Sequence, residues 1–548
     1  MKFEDIRYER VKYEDTKNNI IKLLDNMEAT SDFEEFDSIF TEINKIRSHI
    51  KTMSTYVVIK FSINTIDDYY LSEKKYWDEN LPLFESIDHM FYKKVYNTKY
   101  KDEFISRYGI HYYKYIETCI KSFDERIIPY LQEENELMSR YTALLSSCKC
   151  DFYGKNHNLF SLMAYFGDKD EEKRIKAINS HTKFFEEHEL EFDEIFDRLV
   201  YLRNKMARIM GYKDFIELGY YRMHRTDYDR DMIAVFRENM LNQYLPKVDA
   251  IYKKQAELLG DNINYYNEFL ISSNKNPSLI VDGDGIISAG KKMYRELSNE
   301  TGKFIDYMID NQLFHVEKSE NKAMGGYCTI LYDYRQPFIF GNFNGSLDDV
   351  DTLTHEFGHA FQVYMSRHET IPELIFPTLD SCEIFSMTME ILTYPWMELF
   401  FGEDKDEYIR SHYESFIKFI PYGCLVDDFQ HEIYKRPDLS PEDRKLLWRN
   451  LEKKYCPHRV YPSVEGKKEL DVLERGGYWY RQGHIFKNPF YYIDYVLAEF
   501  CALEFKKIMD EDWNLAWKKY LELSKLGGRY SFTEIVKKAN IKNPFERN

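Results

Sequence analysis

The sequence predicts a mainly α-helical protein. Glycine and proline, which interrupt helices, are sparse: the 548-residue chain has no glycine before Gly109, and only four of its 15 prolines fall in the first 300 residues. Apolar residues recur at helical spacing in stripes, for example from Ile20 to Met27 and from Ile195 to Ile209. Because an amphipathic helix buries residues that repeat every three to four positions, these stripes indicate helices packed around a core.

The length predicts more than one core. The helical pattern is interrupted at Phe152–Asn156 and at Gly211–Lys213, and a longer loop is predicted between Asn274 and Gly285. We therefore expect an N-terminal helical lobe over residues 1–190 and a second domain, which carries the motifs described below, over residues 191–548.

Composition and charge limit the partners and the location. Lys and Arg number 75 against 93 Asp and Glu, so the formal net charge is −18. A field of this sign repels nucleic acids and anionic membranes, and neither is an expected partner. The N-terminus has no apolar segment typical of a signal peptide, and no run approaches the roughly 18 apolar residues that span a bilayer. The eight scattered cysteines are expected to be reduced thiols in a cytoplasmic protein, and nothing predicts an oligomeric state.

The pentapeptide His355-Glu356-Phe357-Gly358-His359 is an HExxH motif within a predicted helix. Two histidines four residues apart lie on one helical face and can bind one zinc ion, while Glu356 lies beside the open coordination position as a general base for water. With 15 histidines in the chain, the motif has a chance probability on the order of a few per cent. Its surroundings must therefore decide the interpretation.

A catalytic zinc site needs a third protein ligand, whose position separates the HExxH families. The metzincin pattern requires Gly and His where this chain has Gln362 and Met365. The thermolysin-like and aminopeptidase-like spacings fall near Leu379 and Thr378, which do not bind zinc. Glu383, 23 residues beyond His359, begins a second helical pattern and is the predicted third ligand.

Two further carboxylates are candidates for orienting the ligands. Glu390 lies seven residues after Glu383 and shares its helical face, so it is predicted to orient a ligand or to position substrate. Asp351 lies one turn before His355 and is a candidate acceptor for a hydrogen bond from a histidine ligand. For Glu390, an ordinary solvated helix face is the alternative.

A small β-sheet is predicted directly before the HExxH helix. Segments Gly326–Tyr332 and Pro337–Phe343 form two strands around a turn, and Asn344–Asp349 supplies N-cap residues for the helix. A peptide can add to such a sheet edge through main-chain hydrogen bonds. Gly325 and Gly326, where this segment begins, are therefore predicted to contact substrate.

Together these motifs resemble the thimet oligopeptidase and oligoendopeptidase F family of zinc metallopeptidases, and most closely its Pz-peptidase-like branch. The resemblance covers most of residues 200–500. It rests on Leu347–Val350 before HEFGHA, on the Glu-x6-Glu pair at 383 and 390, and on the segments Arg203–Tyr212, Leu218–Met223, Arg225–Tyr228 and Asp427–His431.

The resemblance implies a two-lobed helical clam that encloses a deep channel, with the zinc helix at its floor. Such a channel admits unfolded oligopeptides and excludes folded proteins. The implied cofactor is one Zn²⁺ per chain, and residues 191–548 become the catalytic zinc metallopeptidase domain.

A distal segment supplies further candidates. Tyr491, Tyr492 and Tyr495 lie near one face if the segment is helical, with Pro489 in its first turn, although spacing alone favours an aromatic core stripe. By resemblance, Tyr495 and then His484 are the oxyanion donors. Tyr492 binds substrate, and Tyr491 is a further substrate-binding candidate.

The function predicted from these residues is a zinc endopeptidase that hydrolyses internal bonds of short unfolded oligopeptides. One alternative is a carboxypeptidase or dipeptidyl carboxypeptidase with the same zinc chemistry, anchored on the substrate C-terminus. Another is a non-catalytic helical protein that binds peptides.

Overall fold

The computed structural model describes residues 1–270, 277–319, 321–323, 325–343, 345–463 and 469–546. The chain is 71% helical with only small sheets, which confirms the predicted mainly α fold. The predicted loop between Asn274 and Gly285 lies partly outside the described residues. Its last part is helical instead, because the Asp282 side chain accepts a hydrogen bond from the Gly285 backbone N–H and caps a helix that begins at Gly283.

The helices follow the sequence pattern closely: Ile20, Leu24 and Met27 of the first stripe are all buried. In the first part of the chain the α-helices are α1 (Tyr13–Glu28), α2 (Phe33–Ile63), α3 (Asp68–Tyr96), α4 (Lys101–Tyr108), α5 (Ile110–Lys121), α6 (Ile128–Ser146), α7 (Leu159–Met163), α8 (Glu171–Glu187), α9 (Glu189–Ile209), α10 (Phe215–Arg222), α11 (Arg230–Leu259), α12 (Gly283–Leu297) and α13 (Asn299–Asp310).

After these helices come the elements that carry the predicted site. They are α14 (Leu347–Ser366), α15 (Pro372–Ile375), α16 (Leu379–Leu392), α17 (Glu398–Phe401), α18 (Lys405–Lys435), α19 (Pro441–Tyr455), α20 (Asp471–Glu474), α21 (Gly483–Lys487), α22 (Tyr492–Glu511), α23 (Trp513–Ser524) and α24 (Phe532–Ala539).

Two small sheets accompany the helices. A hairpin of β1 (Cys150–Phe152) and β2 (Lys155–His157) occupies the break predicted near residue 152. The second sheet has the order β3-β5-β4, where β3 is Phe314–His315, β4 is Tyr327–Leu331 and β5 is Gln336–Phe340. The antiparallel pair β4 and β5 confirms the two predicted strands. Strand β3, which is parallel to β5, was not predicted, since two residues carry no periodic signal.

Helices α14 and α16 approach each other closely at Gly358. A Cβ atom on Gly358 would lie 2.8 Å from the Cα of Ser386 and 2.9 Å from the carbonyl oxygen of Phe385. Any side chain at this position would force the two backbones apart. Glycine at the fourth position of the HExxH motif therefore permits the packing that brings the two helices together. Helix α14 itself begins with a capping box between Ser346 and Asp349, as its N-cap residues predicted.

A cavity of about 1000 Å³ is bounded by helices of both predicted domains. Helices α3 and α6 line it on the N-terminal side, and α10 with Lys487–Pro489 lines it on the other. The proposed division at residue 190 falls in the first turn of α9, just after its junction with α8, and stays a prediction. In the described part of the chain, no helix is long and apolar enough to cross a membrane.

Candidate metal centre and active site

Helices α14 and α16 bring His355, His359 and Glu383 together. Oε2 of Glu383 lies 3.2 Å from Nε2 of His355 and 3.3 Å from Nε2 of His359. Among the described residues, these three form the one group of His, Cys, Asp and Glu whose ligand atoms all lie within 4.8 Å of one another. Helix α16 begins at Leu379, four residues before the predicted start at Glu383.

The charges at this site compensate one another. Burial alone would raise the pKa of the Glu383 carboxyl, but the His359 and His355 imidazoles outweigh burial and hold that pKa well below its usual range. Glu383 is therefore a carboxylate. Two imidazole nitrogens and one carboxylate oxygen are a donor set that zinc prefers, so the residues present fit a zinc ion.

Glu390 contacts the first of these histidines, as the sequence suggested. Its Oε1 lies 2.7 Å from Nδ1 of His355, and its Oε2 lies 2.9 Å from Nε2 of His412. The hydroxyl of Tyr394 lies 2.8 Å from Nδ1 of His412 and extends the network. A carboxylate that accepts a hydrogen bond from Nδ1–H of His355 leaves Nε2 with a free lone pair, which is the form that binds a metal.

Asp351 occupies a different place from the one predicted. Its carboxylate accepts a hydrogen bond from Tyr408 and lies 3.9 Å from Nε2 of His412. The physical reason is that Nδ1 of His355 already faces Glu390, while its Nε2 faces Glu383. The prediction that Asp351 accepts a hydrogen bond from a histidine ligand is therefore wrong.

Glu356 lies beside the edge strand β4. Burial raises the pKa of its carboxyl, while the two neighbouring imidazoles and the backbone N–H of Cys328 act in the opposite direction. A Cβ atom on Gly326 would lie 2.8 Å from Cγ2 of Thr352 and 4.0 Å from Cγ of Glu356, so the strand begins directly against this turn of α14.

The outer edge of β4 has no partner strand in the described sheet. Gly325 and Gly326 are both exposed at its start, and Gly325 has a φ of 87°, which favours glycine. A peptide laid along this edge would pass next to Glu356.

The distal segment reaches the metal-ligand helix through Tyr491. Its hydroxyl donates a hydrogen bond of 2.8 Å to Oε1 of Glu383. The Tyr495 ring packs 4.9 Å from the Tyr491 ring and 5.8 Å from the Tyr492 ring, measured between centroids. The predicted clustering of the three tyrosines is therefore present. The Tyr491 hydroxyl, however, contacts the candidate metal ligand Glu383.

The helix that carries these tyrosines begins later than predicted. Phe490 has a φ of 69°, in the left-handed region, so α22 begins at Tyr492. Pro489 lies in the connection that precedes the helix and not in its first turn.

His484 packs against the same tyrosines, with ring centroids 4.9 Å from Tyr492 and 5.7 Å from Tyr495. Nε2 of Gln482 lies 3.0 Å from Nδ1 of His484, and burial lowers the pKa of the imidazole to about 4. With its Nδ1 accepting from the Gln482 amide, a neutral His484 carries its proton on Nε2 and can donate it to an oxyanion.

Four residues of this site were not identified from the sequence: His412, Tyr394, Gln482 and Cys328. His412 contacts Glu390, and Tyr394 contacts His412. No sequence spacing predicts a contact between α18, which carries His412, and α16, which carries Glu390. Gln482 lies two residues before His484, and this proximity was the only feature of the sequence that could have identified it.

Comparison with known proteins places the chain in a family. Residues 3–123 match the peptidase M3 N-terminal domain, and residues 296–548 match peptidase family M3. The structure of PZ peptidase A with an inhibitor superposes with a TM-score of 0.94 at 41% identity, covering 100% of this chain and 96% of that one. The chain belongs to peptidase family M3.

Other members of the family are similar over most of their length. A protein described as an oligoendopeptidase F from Bacillus anthracis str. Ames has a TM-score of 0.89 at 39% identity, covering 100% of this chain and 95% of that one. Oligopeptidase PepF of Bacillus subtilis (strain 168) is 22% identical over 456 residues, which are 77% of this chain and 66% of the relative. These matches confirm the family predicted from the motifs. This M3 family member is therefore an enzyme, a peptidase of a metallopeptidase family that acts on oligopeptides.

Proposed function

We propose that this M3 peptidase is a zinc-dependent endopeptidase that hydrolyses internal bonds of short unfolded oligopeptides. The observation that carries the proposal is the position of Glu356. It lies one residue from a His/His/Glu donor set and beside a free strand edge. The names of the relatives, oligopeptidase and oligoendopeptidase, support the same substrate class.

His355, His359 and Glu383 would hold the zinc ion, one per chain. When bound, zinc would polarise the scissile carbonyl and lower the pKa of a water molecule towards about 7. Glu390 holds His355 in the tautomer that binds metal, and Tyr491 holds the Glu383 carboxylate from its other oxygen.

Glu356 acts as the general base. It accepts the proton of the attacking water and delivers it to the leaving amine. Burial raises the pKa of its carboxyl, which makes it a better proton acceptor than an exposed carboxylate. The backbone N–H of Cys328, on the edge strand, orients the carboxylate.

Tyr495 and His484 donate hydrogen bonds to the oxyanion that forms at the scissile carbonyl. One such donor contributes roughly 2.7–4 kcal/mol in characterised enzymes. Tyr492 packs between His484 and the Phe419 ring and would contact the substrate backbone together with Gly325 and Gly326.

A peptide acetylated at its N-terminus and amidated at its C-terminus tests the proposal. We expect internal cleavage of this peptide, zinc near one ion per chain, and loss of activity with a chelator. A carboxypeptidase or dipeptidyl carboxypeptidase leaves a doubly blocked peptide intact and cuts the free acid. A binding protein cuts neither peptide.

A further inference from the structure

Arg481 is a partly exposed arginine with no carboxylate partner among the described residues. Its guanidinium donates to the Tyr265 hydroxyl at 3.1 Å, contacts Sδ of Met163 at 3.5 Å and stacks over the Tyr478 ring at 5.1 Å. Protein surrounds this side chain on most sides. Arginines in such surroundings normally pair with a carboxylate, as Arg225 does with Asp494 at 2.7 Å.

Further cationic groups lie over neighbouring aromatic rings, and Lys418 stacks over the Tyr252 ring at 4.6 Å. Arg459 also stacks on Tyr478, at 4.5 Å, but Glu268 compensates its charge at 3.0 Å. Nζ of Lys418 contacts Oε1 of Gln255 at 3.2 Å, with no carboxylate within ion-pair distance among the described residues. Two positive charges, on Lys418 and Arg481, are therefore left without a direct counter-charge. We call Lys418, His458, Arg459 and Arg481 the basic wall.

His458 adds an independent sign of a ligand within the basic wall. Its side chain is only 9% exposed and stacks on Tyr252 with ring centroids 3.9 Å apart. Among the described residues, neither ring nitrogen has a hydrogen-bond partner, and Oε2 of Glu268 lies 4.0 Å from Nε2. Buried polar groups without partners are costly, and a water molecule, an ion or a ligand can supply the missing hydrogen bond.

The basic wall is connected to the proposed oxyanion donors. Arg459 stacks over the Tyr422 ring at 5.6 Å, and the Tyr422 hydroxyl donates to Oε1 of Gln482 at 2.8 Å. The same Gln482 contacts His484 through its amide nitrogen. The Tyr422 ring also lies 6.0 Å from the Tyr492 ring. The wall is thus adjacent to the segment that would hold substrate.

We propose that Arg481, the residue of the basic wall that directly precedes Gln482 in the chain, binds a carboxylate of the oligopeptide substrate. The guanidinium presents paired N–H donors that match a carboxylate, and its remaining donors have no acceptor among the described residues. The carboxylate is the C-terminus of a short peptide or an acidic side chain. A free C-terminus held near the scissile bond favours short substrates. This inference rests on the proposed peptidase function and specifies which peptides are preferred.

The test uses three peptides of one sequence, all acetylated at the N-terminus. One ends in a free acid, one ends in an amide, and one ends in an amide but carries an internal Asp in place of Asn. We measure kcat/KM for the zinc-loaded enzyme and for Arg481→Gln. We expect the wild type to prefer one carboxylate-bearing peptide over the plain amide by about 10- to 100-fold, mainly through KM. In Arg481→Gln the ratio of kcat/KM for the carboxylate-bearing peptide to kcat/KM for the plain amide should fall to about 1.

The controls separate binding from structural damage. Arg198→Gln removes a surface arginine that pairs with Glu133, and it should keep the wild-type ratio. Arg481→Lys should retain an intermediate ratio. A preference for the free acid identifies the C-terminus as the ligand, and a preference for the Asp peptide identifies a side chain. Equal rates on all three peptides by the wild type, or a ratio that Arg481→Gln leaves unaltered, would overturn the proposal. If no peptide is cleaved, the proposed function itself fails.

Discussion

The hydroxyl of Tyr491 donates a 2.8 Å hydrogen bond to Oε1 of Glu383, while Oε2 of the same carboxylate faces both His355 and His359. The two residues are 108 positions apart in the chain and join the N-cap position of α22 to α16. Tyr491 therefore orients a candidate metal ligand, a different role from contact with substrate.

Tyr491→Phe should weaken zinc binding by about 10- to 100-fold, because the Glu383 carboxylate loses the group that orients it. Competition with a chromophoric zinc chelator measures this affinity. Tyr495→Phe is the matched control: it should keep zinc and lower kcat by about 10²- to 10³-fold. Equal zinc affinity in Tyr491→Phe and wild type would contradict the orienting role.

Glu356→Gln should lower kcat by about 10²- to 10⁴-fold, since the amide cannot accept a proton. Zinc content should remain near one ion per chain, because the ligands are unaltered. Turnover of an internally quenched peptide and metal analysis of the same preparation check both points. Substantial remaining turnover would remove Glu356 as the base.

Glu390→Gln should lower zinc affinity by about 10- to 100-fold, because Glu390 fixes the tautomer of His355. His412→Gln should have a smaller effect in the same direction, since His412 acts only through Glu390. Zinc affinities of the two variants and of wild type test this order. A larger effect of His412→Gln than of Glu390→Gln would contradict it.

Gly358→Ala should destabilise the protein by about 1–3 kcal/mol and weaken zinc binding, because the new methyl group meets the backbone of α16 at 2.8–2.9 Å. Gly283→Ala is the control, since a Cβ atom there meets nothing within 4 Å. Urea unfolding and zinc affinity measure the two effects. A Gly358→Ala variant as stable as Gly283→Ala would show that the helices can separate without cost.

The free energy of unfolding should decrease as the pH is lowered, because His111 is buried. Burial lowers the pKa of this imidazole to about 4, while Asp227 and Glu534 oppose the shift. Its unfolded pKa is about 6.5, so between these values the unfolded state binds more protons. The contribution of neutral His111 to the free energy of unfolding is complete above pH 6.5. It is lost as the pH falls towards 4.

Linkage gives a loss of about 2 kcal/mol from this group between pH 7.5 and pH 5. Between these pH values, the free energy of unfolding of His111→Gln should therefore decrease less than that of the wild type, by about that amount. Urea unfolding of both proteins with a chelator present at both pH values excludes a contribution from metal release. Identical losses in wild type and variant would rule out His111 as the titrating group.

The sequence by itself determined the mainly α fold, the strands before the HExxH helix, and the placement of His355 and His359 on one helical face. These features depend on local spacing: helix geometry places residues four apart on one face, and alternating apolar residues form strands. The family resemblance then named His484 and Tyr495, whose rings do lie together.

Only the tertiary structure decided which groups surround these residues. It placed Glu390 rather than Asp351 against His355, brought Tyr491 to Glu383, and added His412 from a separate helix. It also left Arg481 without a carboxylate among the described residues. Contacts between segments far apart in the chain depend on how helices pack. The φ of 69° at Phe490 and the close approach of two helix backbones at Gly358 both affect these contacts, and neither produces a periodic signal in the sequence.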